Sequence, residues 1–280
     1  MPEVTAKDGA KLHYEVHDYT DPWKQAPTLV LQHGFGRSSR FWYGLVPYLS
    51  RHYKVVCPDL RGLGRSSTEF DLDRGITVET YLSDLLHIID ALGAPSVHYA
   101  GESLAGILGL ILAAEHPDRL RTLCALSTPP YIIKETFKTF AFGHASWQEA
   151  LVAMGSVAWA KAANAATRFP ADADPGLLEW YATEMGKSNV AVMIRMVDLL
   201  EKVDATPYLD RITAPVLGLY PAQVATVTKE QEQLLRDRIA DFHLVHLPLR
   251  YHMTWMVEPA ACGDAMLHFM ALHDGISCHE

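Results

Sequence analysis

The amino-acid sequence predicts an α/β fold built on a parallel, doubly wound sheet. Three runs rich in β-branched and apolar residues, at 28–32, 53–57 and 96–99, are each followed by a turn and a helix-like segment. This alternation favours a parallel sheet, because parallel neighbours need crossover connections. The stretch between residues 128 and 206 breaks the alternation and shows helical spacing instead.

The other elements follow from local patterns. Residues 103–116 are small and aliphatic on every side, which is typical of a buried helix, and Pro117 ends it. The other predicted strands lie at 11–16, 120–126, 214–220 and 242–248. The other predicted helices of the core lie at 40–49, 78–92, 230–239 and 259–273.

Residues 131–206 are predicted to form a helical cap, and residues 1–130 and 207–280 are predicted to form the core. Met, Trp, Phe and Ala dominate this stretch, with helical spacing. The stretch lies between two predicted core strands, and ligands of α/β folds bind outside the carboxyl ends of the strands. It is therefore expected to cover a ligand site, the alternative being a purely structural subdomain.

Composition disfavours several classes of function. The 280 residues include 24 Lys and Arg against 33 Asp and Glu, a net charge of −9, which argues against binding to nucleic acid or an anionic membrane. The first residues contain no apolar signal region, and the apolar run at 107–114 is far shorter than the roughly 20 residues of a membrane span. We expect a cytoplasmic protein, either a monomer or a homo-oligomer, whose partner is a small-molecule substrate.

Cysteine usage gives no sign of a metal centre. The cysteines are Cys57, Cys124, Cys262 and Cys278, and no C-x-x-C spacing occurs. Two of them lie in apolar strand-like runs, where a reduced thiol behaves as a small hydrophobe. We therefore expect no metal, no cofactor and no disulfide framework.

Ser103 lies in a run of small residues between a predicted strand and a predicted helix, Gly101-Glu-Ser-Leu-Ala-Gly106. A sharp strand-to-helix turn places a nucleophile in strained backbone where bulky neighbours would collide, so these residues favour Ser103 as nucleophile. The turn also brings the Leu104 N–H, at the positive end of the helix, beside any oxyanion. Ala105 replaces the last glycine of G-x-S-x-G and is still small. The alternative is that Ser103 only caps the helix.

Two further segments carry groups that acyl transfer needs. His33-Gly-Phe-Gly36 follows the strand at 28–32, and its glycines allow close approach of a ligand to the backbone. We therefore expect Gly34 to contact the substrate and the Phe35 N–H to be the second donor to the oxyanion. His252 lies between the last strand and the last helix, where we expect it to serve as the general base for Ser103.

The chain resembles the α/β-hydrolase superfamily along essentially its whole length. The resemblance rests on four segments in this order: the glycine segment, Asp59-Leu-Arg-Gly-Leu-Gly-Arg-Ser66, the serine turn and His252. The resemblance implies the α/β-hydrolase fold, a mostly parallel eight-stranded sheet with a helical cap inserted after the sixth strand. It also implies Ser103 as nucleophile and His252 as base. The N-terminal half is most similar to enol-lactonases and small-ester hydrolases. A serine at position 103 excludes the usual covalent alkyl-enzyme route of haloalkane dehalogenases and epoxide hydrolases.

The third member of the triad is where the sequence departs from the family. Its acid normally follows the strand predicted at 214–220, but residues 221–228 contain no carboxylate, nor do residues 127–130 after the preceding core strand. Either a neutral group orients His252, with Ser127 or Gln223 as candidates, or a cap carboxylate such as Glu135 or Glu184 does. A third alternative is that conventional turnover has been lost. Glu102 is expected to point away from the nucleophile and form a salt bridge.

The sequence thus predicts a serine hydrolase that cleaves a small or medium, largely apolar carboxylic ester or lactone. The cap is rich in Met, Trp, Phe and Leu and poor in convergent positive charge. Aromatic side chains dominate the walls of ligand sites, so Trp180 is expected to contact substrate. Two alternatives remain: a C–C bond hydrolase or cofactor-free oxygenase that uses His252 as a base, and a ligand-binding module with weak turnover.

Overall fold

The computed structural model describes residues 2–223 and 226–276. Within these ranges, eight strands form one sheet in the order β1-β2-β4-β3-β5-β6-β7-β8. β2 pairs antiparallel with β1 and with β4, and all the other neighbours are parallel. The strands are β1 (Glu3–Thr5), β2 (Lys11–His17), β3 (Thr28–Gln32), β4 (Lys54–Pro58), β5 (Val97–Glu102), β6 (Leu120–Leu126), β7 (Val216–Pro221) and β8 (Phe242–Leu247).

Helices surround this sheet and fill the connections between its parallel strands. They are α1 (Val46–Leu49), α2 (Leu72–Gly75), α3 (Val78–Ala91), α4 (Leu104–Glu115), α5 (Lys134–Phe140), α6 (Trp147–Ala163), α7 (Pro175–Met185), α8 (Val190–Leu200), α9 (Lys229–Arg238), α10 (Thr254–Val257) and α11 (Pro259–Asp274). Short 3₁₀ segments occur at Ser39–Trp42, Pro117–Arg119 and Thr206–Arg211, and a π-helical turn at Asn164–Arg168. No helix of the described ranges is long and apolar enough to cross a membrane.

The core lies between the central strands and the helices that cover them. All six residues of β5 are buried, as expected for a central parallel strand covered on both faces. Ten consecutive residues of α4, from Leu104 to Ala113, are buried, which agrees with the apolar character of this helix on every side. The mostly parallel sheet that the sequence predicted is therefore confirmed.

Two short elements differ from the sequence prediction. β1 is an edge strand of three residues, too short to leave a periodic pattern. The helix predicted at 40–49 is divided into a 3₁₀ turn at Ser39–Trp42 and the single turn α1, which has Pro47 in its first turn.

The helices α5 to α8 all lie between β6 and β7, and residues 134–200 are called the helical insertion below. The two ends of the insertion are close together, because Tyr131 pairs with Asp204 in an antiparallel bridge and the Ala205 N–H donates to the Pro130 carbonyl at 2.8 Å. The carboxyl ends of β3, β5, β6, β7 and β8 meet at one edge of the sheet, where ligand sites of α/β folds form.

Candidate active site

Ser103 occupies a strained turn between β5 and α4. Its φ of 52° and ψ of −118° lie in a region that residues with a side chain rarely adopt. Its hydroxyl makes no capping hydrogen bond to α4, so the alternative in which Ser103 only caps the helix is wrong. A Cβ atom at Gly101 would overlap the Ala105 carbonyl, and one at Gly106 would overlap the Thr128 side chain. The turn therefore requires glycine on both sides of Ser103.

Ser103 and His252 line the same small cavity, of about 40 Å³. The sheet side of the cavity comes from loops after β3, β5, β6, β7 and β8, and the opposite side comes mainly from the helical insertion. Its other lining residues are Phe35, Arg37, Pro129, Ile132, Thr136, Phe140, Trp147, Arg168, Leu200 and Thr226.

The imidazole of His252 is buried, with its Nδ1 3.0 Å from the Thr226 hydroxyl oxygen. Burial lowers the pKa of His252 well below its usual value, and the charges of Arg37 and Arg168 lower it further. The ring is therefore neutral at pH 7, the form that can accept a proton.

Thr226 is the residue that the sequence analysis missed. It lies in the segment after β7 where the family's acid was sought, but a loop threonine carries no pattern that marks it. The Ser127 hydroxyl donates to the backbone carbonyl of His252 at 3.1 Å, so it positions the loop that carries His252. The hydrogen bond to the imidazole ring is made by Thr226 instead. Gln223 and Glu135 are exposed.

Glu184, the other cap carboxylate considered, forms ion pairs with Arg40 at 3.0 Å and with Lys187 at 2.7 Å. Its bonds therefore lie outside the cavity. Val224, in the segment after β7 where the family's acid was sought, lies outside the described residues, as does Cys278.

Glu102 does not point away from the site. Its Oε2 lies 4.0 Å from His252 Nε2, and the prediction of its direction was wrong because the side chain turns back over the glycine segment. The expected salt bridge is present: Glu102 accepts from Arg37 Nε at 2.7 Å and from Arg37 Nη2. Both side chains are buried. This contact occupies the carboxylate of Glu102, and the pKa of His252 is lowered by burial first and then by the charges of Arg37 and Arg168.

Gly34 and Trp180, the two residues expected to contact substrate, are not among the residues that line the cavity. The Gly34 N–H donates to Glu102 Oε1, so this donor is occupied within the protein. Trp180 packs against Phe41 and Tyr43, with ring centroids 5.2 and 5.0 Å apart, and lines an open surface groove. The tryptophan at the cavity is Trp147, whose ring lies 4.9 Å from that of Phe35.

The cavity also contains more positive charge than composition suggested. Arg37 follows the glycine segment and Arg168 ends the π-helical turn after α6, and both guanidinium groups are buried at the cavity. The expectation that the cap would contribute little convergent positive charge was wrong at Arg168, which folds inward, and Arg37 of the core adds a second guanidinium group.

Outside the cavity, Asp241, His243 and His273 form an exposed group whose side chains could offer metal ligands. It lies at the amino end of β8 and is distant in the fold from the edge that carries Ser103. Cys57, Cys124 and Cys262 are buried free thiols.

The chain belongs to the α/β-hydrolase fold family, because residues 27–167 match the family described as alpha/beta hydrolase fold. The resemblance to this superfamily seen in the sequence is therefore confirmed, and the protein belongs to a family of hydrolases.

Three similar proteins illustrate the range of the family. A protein named carbamate hydrolase RutD from Stutzerimonas stutzeri is 27% identical over 265 residues, 93% of this chain and 97% of that protein. The karrikin insensitive 2 receptor IA of Petunia hybrida is 40% identical over 107 residues, 38% of this chain and 39% of the receptor. The crystal structure of the enol-lactonase from Burkholderia xenovorans LB400 has a TM-score of 0.82 at 23% identity, covering 96% of this chain and all 100% of that one.

Proposed function

We propose that this protein hydrolyses a small or medium carboxylic ester or lactone through an acyl-enzyme on Ser103, with His252 as general base. The observation that carries the proposal is the strained backbone of Ser103, combined with a hydroxyl that makes no capping bond to α4 and a place for Ser103 on the same cavity as His252. Strain of this kind costs free energy and persists where it serves a function.

His252 would act through Nε2. When Nδ1–H donates to the Thr226 hydroxyl, the Nε2 lone pair is available to take the Ser103 proton. The serine oxygen then bonds to the substrate carbonyl carbon, and the electron pair of the C=O bond moves to its oxygen. Collapse of this intermediate expels the alkoxide, which takes the proton from His252. Water, deprotonated by His252, then attacks the acyl-enzyme carbonyl in the same way. Collapse of this second intermediate releases the carboxylic acid, and Ser103 takes its proton back from His252.

The backbone N–H groups of Phe35 and Leu104 would form the oxyanion hole. Leu104 is the first residue of α4, where the helix dipole favours negative charge. Phe35 lies in the glycine segment, and its side chain lines the cavity. Two such donors stabilise charge that develops only in the transition state.

Residues 131–206 would form a cap that selects substrate, since the insertion supplies Thr136, Phe140, Trp147 and Arg168 to the cavity. The proposal also places the protein in the cytoplasm, where its buried thiols would stay reduced.

The test is a panel of short-chain esters and lactones with the wild type, Ser103→Ala and His252→Gln, and an alkyl phosphonate label. We expect turnover and labelling of Ser103 in the wild type, and a loss of kcat on the order of 10⁶ when either residue is replaced. Retention of kcat within tenfold in folded Ser103→Ala would overturn the acyl-enzyme. It would support the C–C hydrolase or oxygenase alternative, in which His252 acts alone.

A ligand-binding role with weak turnover is the second candidate. The observation that favours it is the neutral Thr226 at His252 Nδ1, which cannot stabilise an imidazolium as a carboxylate does. Over part of its length the chain is also similar to a protein named as a receptor. One product released per protein molecule, followed by no further turnover, would support this candidate over the hydrolase.

A further inference from the structure

Among the described residues, one buried cation of the cavity, Arg168, forms no ion pair, and the negative charge that acts on it is that of Glu102, which is already paired with Arg37. Arg168 is 3% exposed, and its guanidinium donates from Nη1 to the Met185 sulfur at 3.1 Å, a weak acceptor. Within the described ranges, no carboxylate oxygen lies within 4.0 Å of its nitrogens. Buried charges are ordinarily paired, so the bonding of Arg168 is incomplete.

Arg37, on the same cavity, shows what a paired arginine looks like in this fold. Its guanidinium contacts both oxygens of Glu102 and donates to the Tyr181 hydroxyl at 2.9 Å. Glu102 is therefore neutralised by Arg37. Because His252 is neutral, the charges of Arg37, Glu102 and Arg168 leave the site with one net positive charge.

Aromatic rings hold the Arg168 guanidinium in place. It lies 5.1 Å from the ring centroid of Trp159, 5.3 Å from Tyr181 and 5.9 Å from Phe140. These contacts fix its position and stabilise some of its charge, but ring faces do not accept its N–H groups as a carboxylate does. Burial lowers the pKa of Arg168 to about 10, so it remains charged at neutral pH.

Two residues of the insertion that line the cavity, Thr136 and Trp147, each carry a buried polar atom for which the described residues provide no partner. Thr136 Oγ1 and Trp147 Nε1 are buried and make no hydrogen bond within the described part of the chain, and these side chains are 6% and 4% exposed. The indole N–H can only donate, and the hydroxyl can donate. A buried donor without an acceptor costs free energy, which a bound acceptor would recover.

We propose that the substrate of this site carries a carboxylate, bound by Arg168 with Trp147 and Thr136 as further hydrogen-bond donors, while Ser103 faces its ester or lactone carbonyl. This inference rests on the proposed function, whose substrate class it narrows. It departs from the wholly apolar substrate that the sequence predicted. The aromatic residues of the cavity would contact the carbon chain between the two groups.

A matched pair of ligands tests the inference without turnover. Monoethyl succinate is an anion, and ethyl succinamate has nearly the same shape and is neutral. Their dissociation constants are measured by calorimetry on Ser103→Ala, which keeps Arg168 and cannot form the acyl-enzyme. We expect the anion to bind at least tenfold more tightly. Equal affinity for the two ligands, or no binding of either, would overturn the inference.

Variants then assign the preference to Arg168. In the Ser103→Ala background, Arg168→Met and Arg168→Gln should each reduce the ratio of the two dissociation constants to below about twofold. Arg195→Met is the matched control, because it changes the net charge by the same amount as Arg168→Met. Arg195 is half-exposed on α8 and pairs with Asp73 and Asp198. It should leave the ratio unchanged. A ratio that survives both folded Arg168 variants, or that Arg195→Met also abolishes, contradicts the proposal.

The same pair on the wild type separates this inference from the proposed function. If the enzyme hydrolyses monoethyl succinate with a higher kcat/KM than ethyl succinamate, the proposed function and the carboxylate site are both supported. If it hydrolyses neither ligand yet Ser103→Ala binds the anion selectively through Arg168, the hydrolase proposal fails and the carboxylate site stands. Should neither Arg168 variant fold, as melting curves would show, the tenfold preference of Ser103→Ala decides the question.

Discussion

The Nδ1 atom of His252 lies 3.0 Å from the hydroxyl oxygen of Thr226, where a triad would place a carboxylate. A hydroxyl can fix the tautomer and orientation of the imidazole. It supplies no negative charge to the imidazolium that forms during attack. The proposed base, His252, is thus oriented by a neutral group and lies near two cations, Arg37 and Arg168.

Replacing Thr226 tests this arrangement in both directions. Thr226→Val removes the hydroxyl while keeping the shape, and a neutral hydrogen bond of about 1 kcal/mol corresponds to roughly a fivefold lower kcat. Loss of a triad acid costs about 10⁴ in kcat, so Thr226→Asp should raise kcat by at least about tenfold. Steady-state kinetics with one ester measures both effects.

Glu184→Gln and Glu135→Gln are the controls for Thr226, because neither carboxylate contacts His252. Both should retain kcat within about twofold of wild type. A large loss in either variant would return a cap carboxylate to the mechanism.

The pH dependence of kcat/KM should reflect the depressed pKa of His252. In the proposed mechanism the neutral ring is the base, and a lowered pKa means that the ring takes up its proton only at lower pH. Activity should therefore stay level as the pH falls to 6.5 and decline only below that value. Thr226→Asp adds a negative charge, raises the pKa and should move the decline to higher pH. An unshifted profile in this variant would argue that another group titrates.

Substrate choice should depend on Trp147 and not on Trp180. Trp147 lines the cavity and stacks on Trp159 with ring centroids 5.4 Å apart, whereas Trp180 lies in the surface groove. We expect Trp147→Phe to change the ratio of kcat/KM for a short and a longer acyl ester by about tenfold, since one or two methylenes are worth about 1–3 kcal/mol. Trp180→Phe should leave this ratio unchanged. Equal effects of the two variants would mean that the cavity does not select the acyl group.

Gly106→Ala should destabilise the turn that carries Ser103. The added Cβ would overlap the Thr128 side chain, and overpacking of this kind costs about 1–3 kcal/mol in the free energy of unfolding. Gly44→Ala is the matched control, because its Cβ would meet only Pro259 atoms at 3.8 Å or more. Chemical denaturation of both variants gives the comparison. Equal stability would show that α4 can shift to accept the methyl group.

The sequence predicted those parts of the fold and site that depend on strong local requirements. A strained strand-to-helix turn needs small residues, so the turn at Ser103 could be predicted, and the bounds of α4 could be predicted because this helix is apolar on every side. Thr226 could not be found, because its role depends on where a loop places one hydroxyl. Arg168 could not be found either, because only the packing of the insertion shows that it folds inward.

The buried pair of Arg37 and Glu102 has a consequence for how this protein can vary. Each side chain removes the cost of burying the other, and breaking such a pair from one side costs about 3–5 kcal/mol. Replacing both with apolar residues of similar volume is often neutral in other proteins. Positions 37 and 102 should therefore show epistasis: each single change should cost more than the joint change, which leaves no buried charge but removes the partners of the Gly34 N–H and the Tyr181 hydroxyl. A directed-evolution library that varies one position at a time would therefore not find the double change.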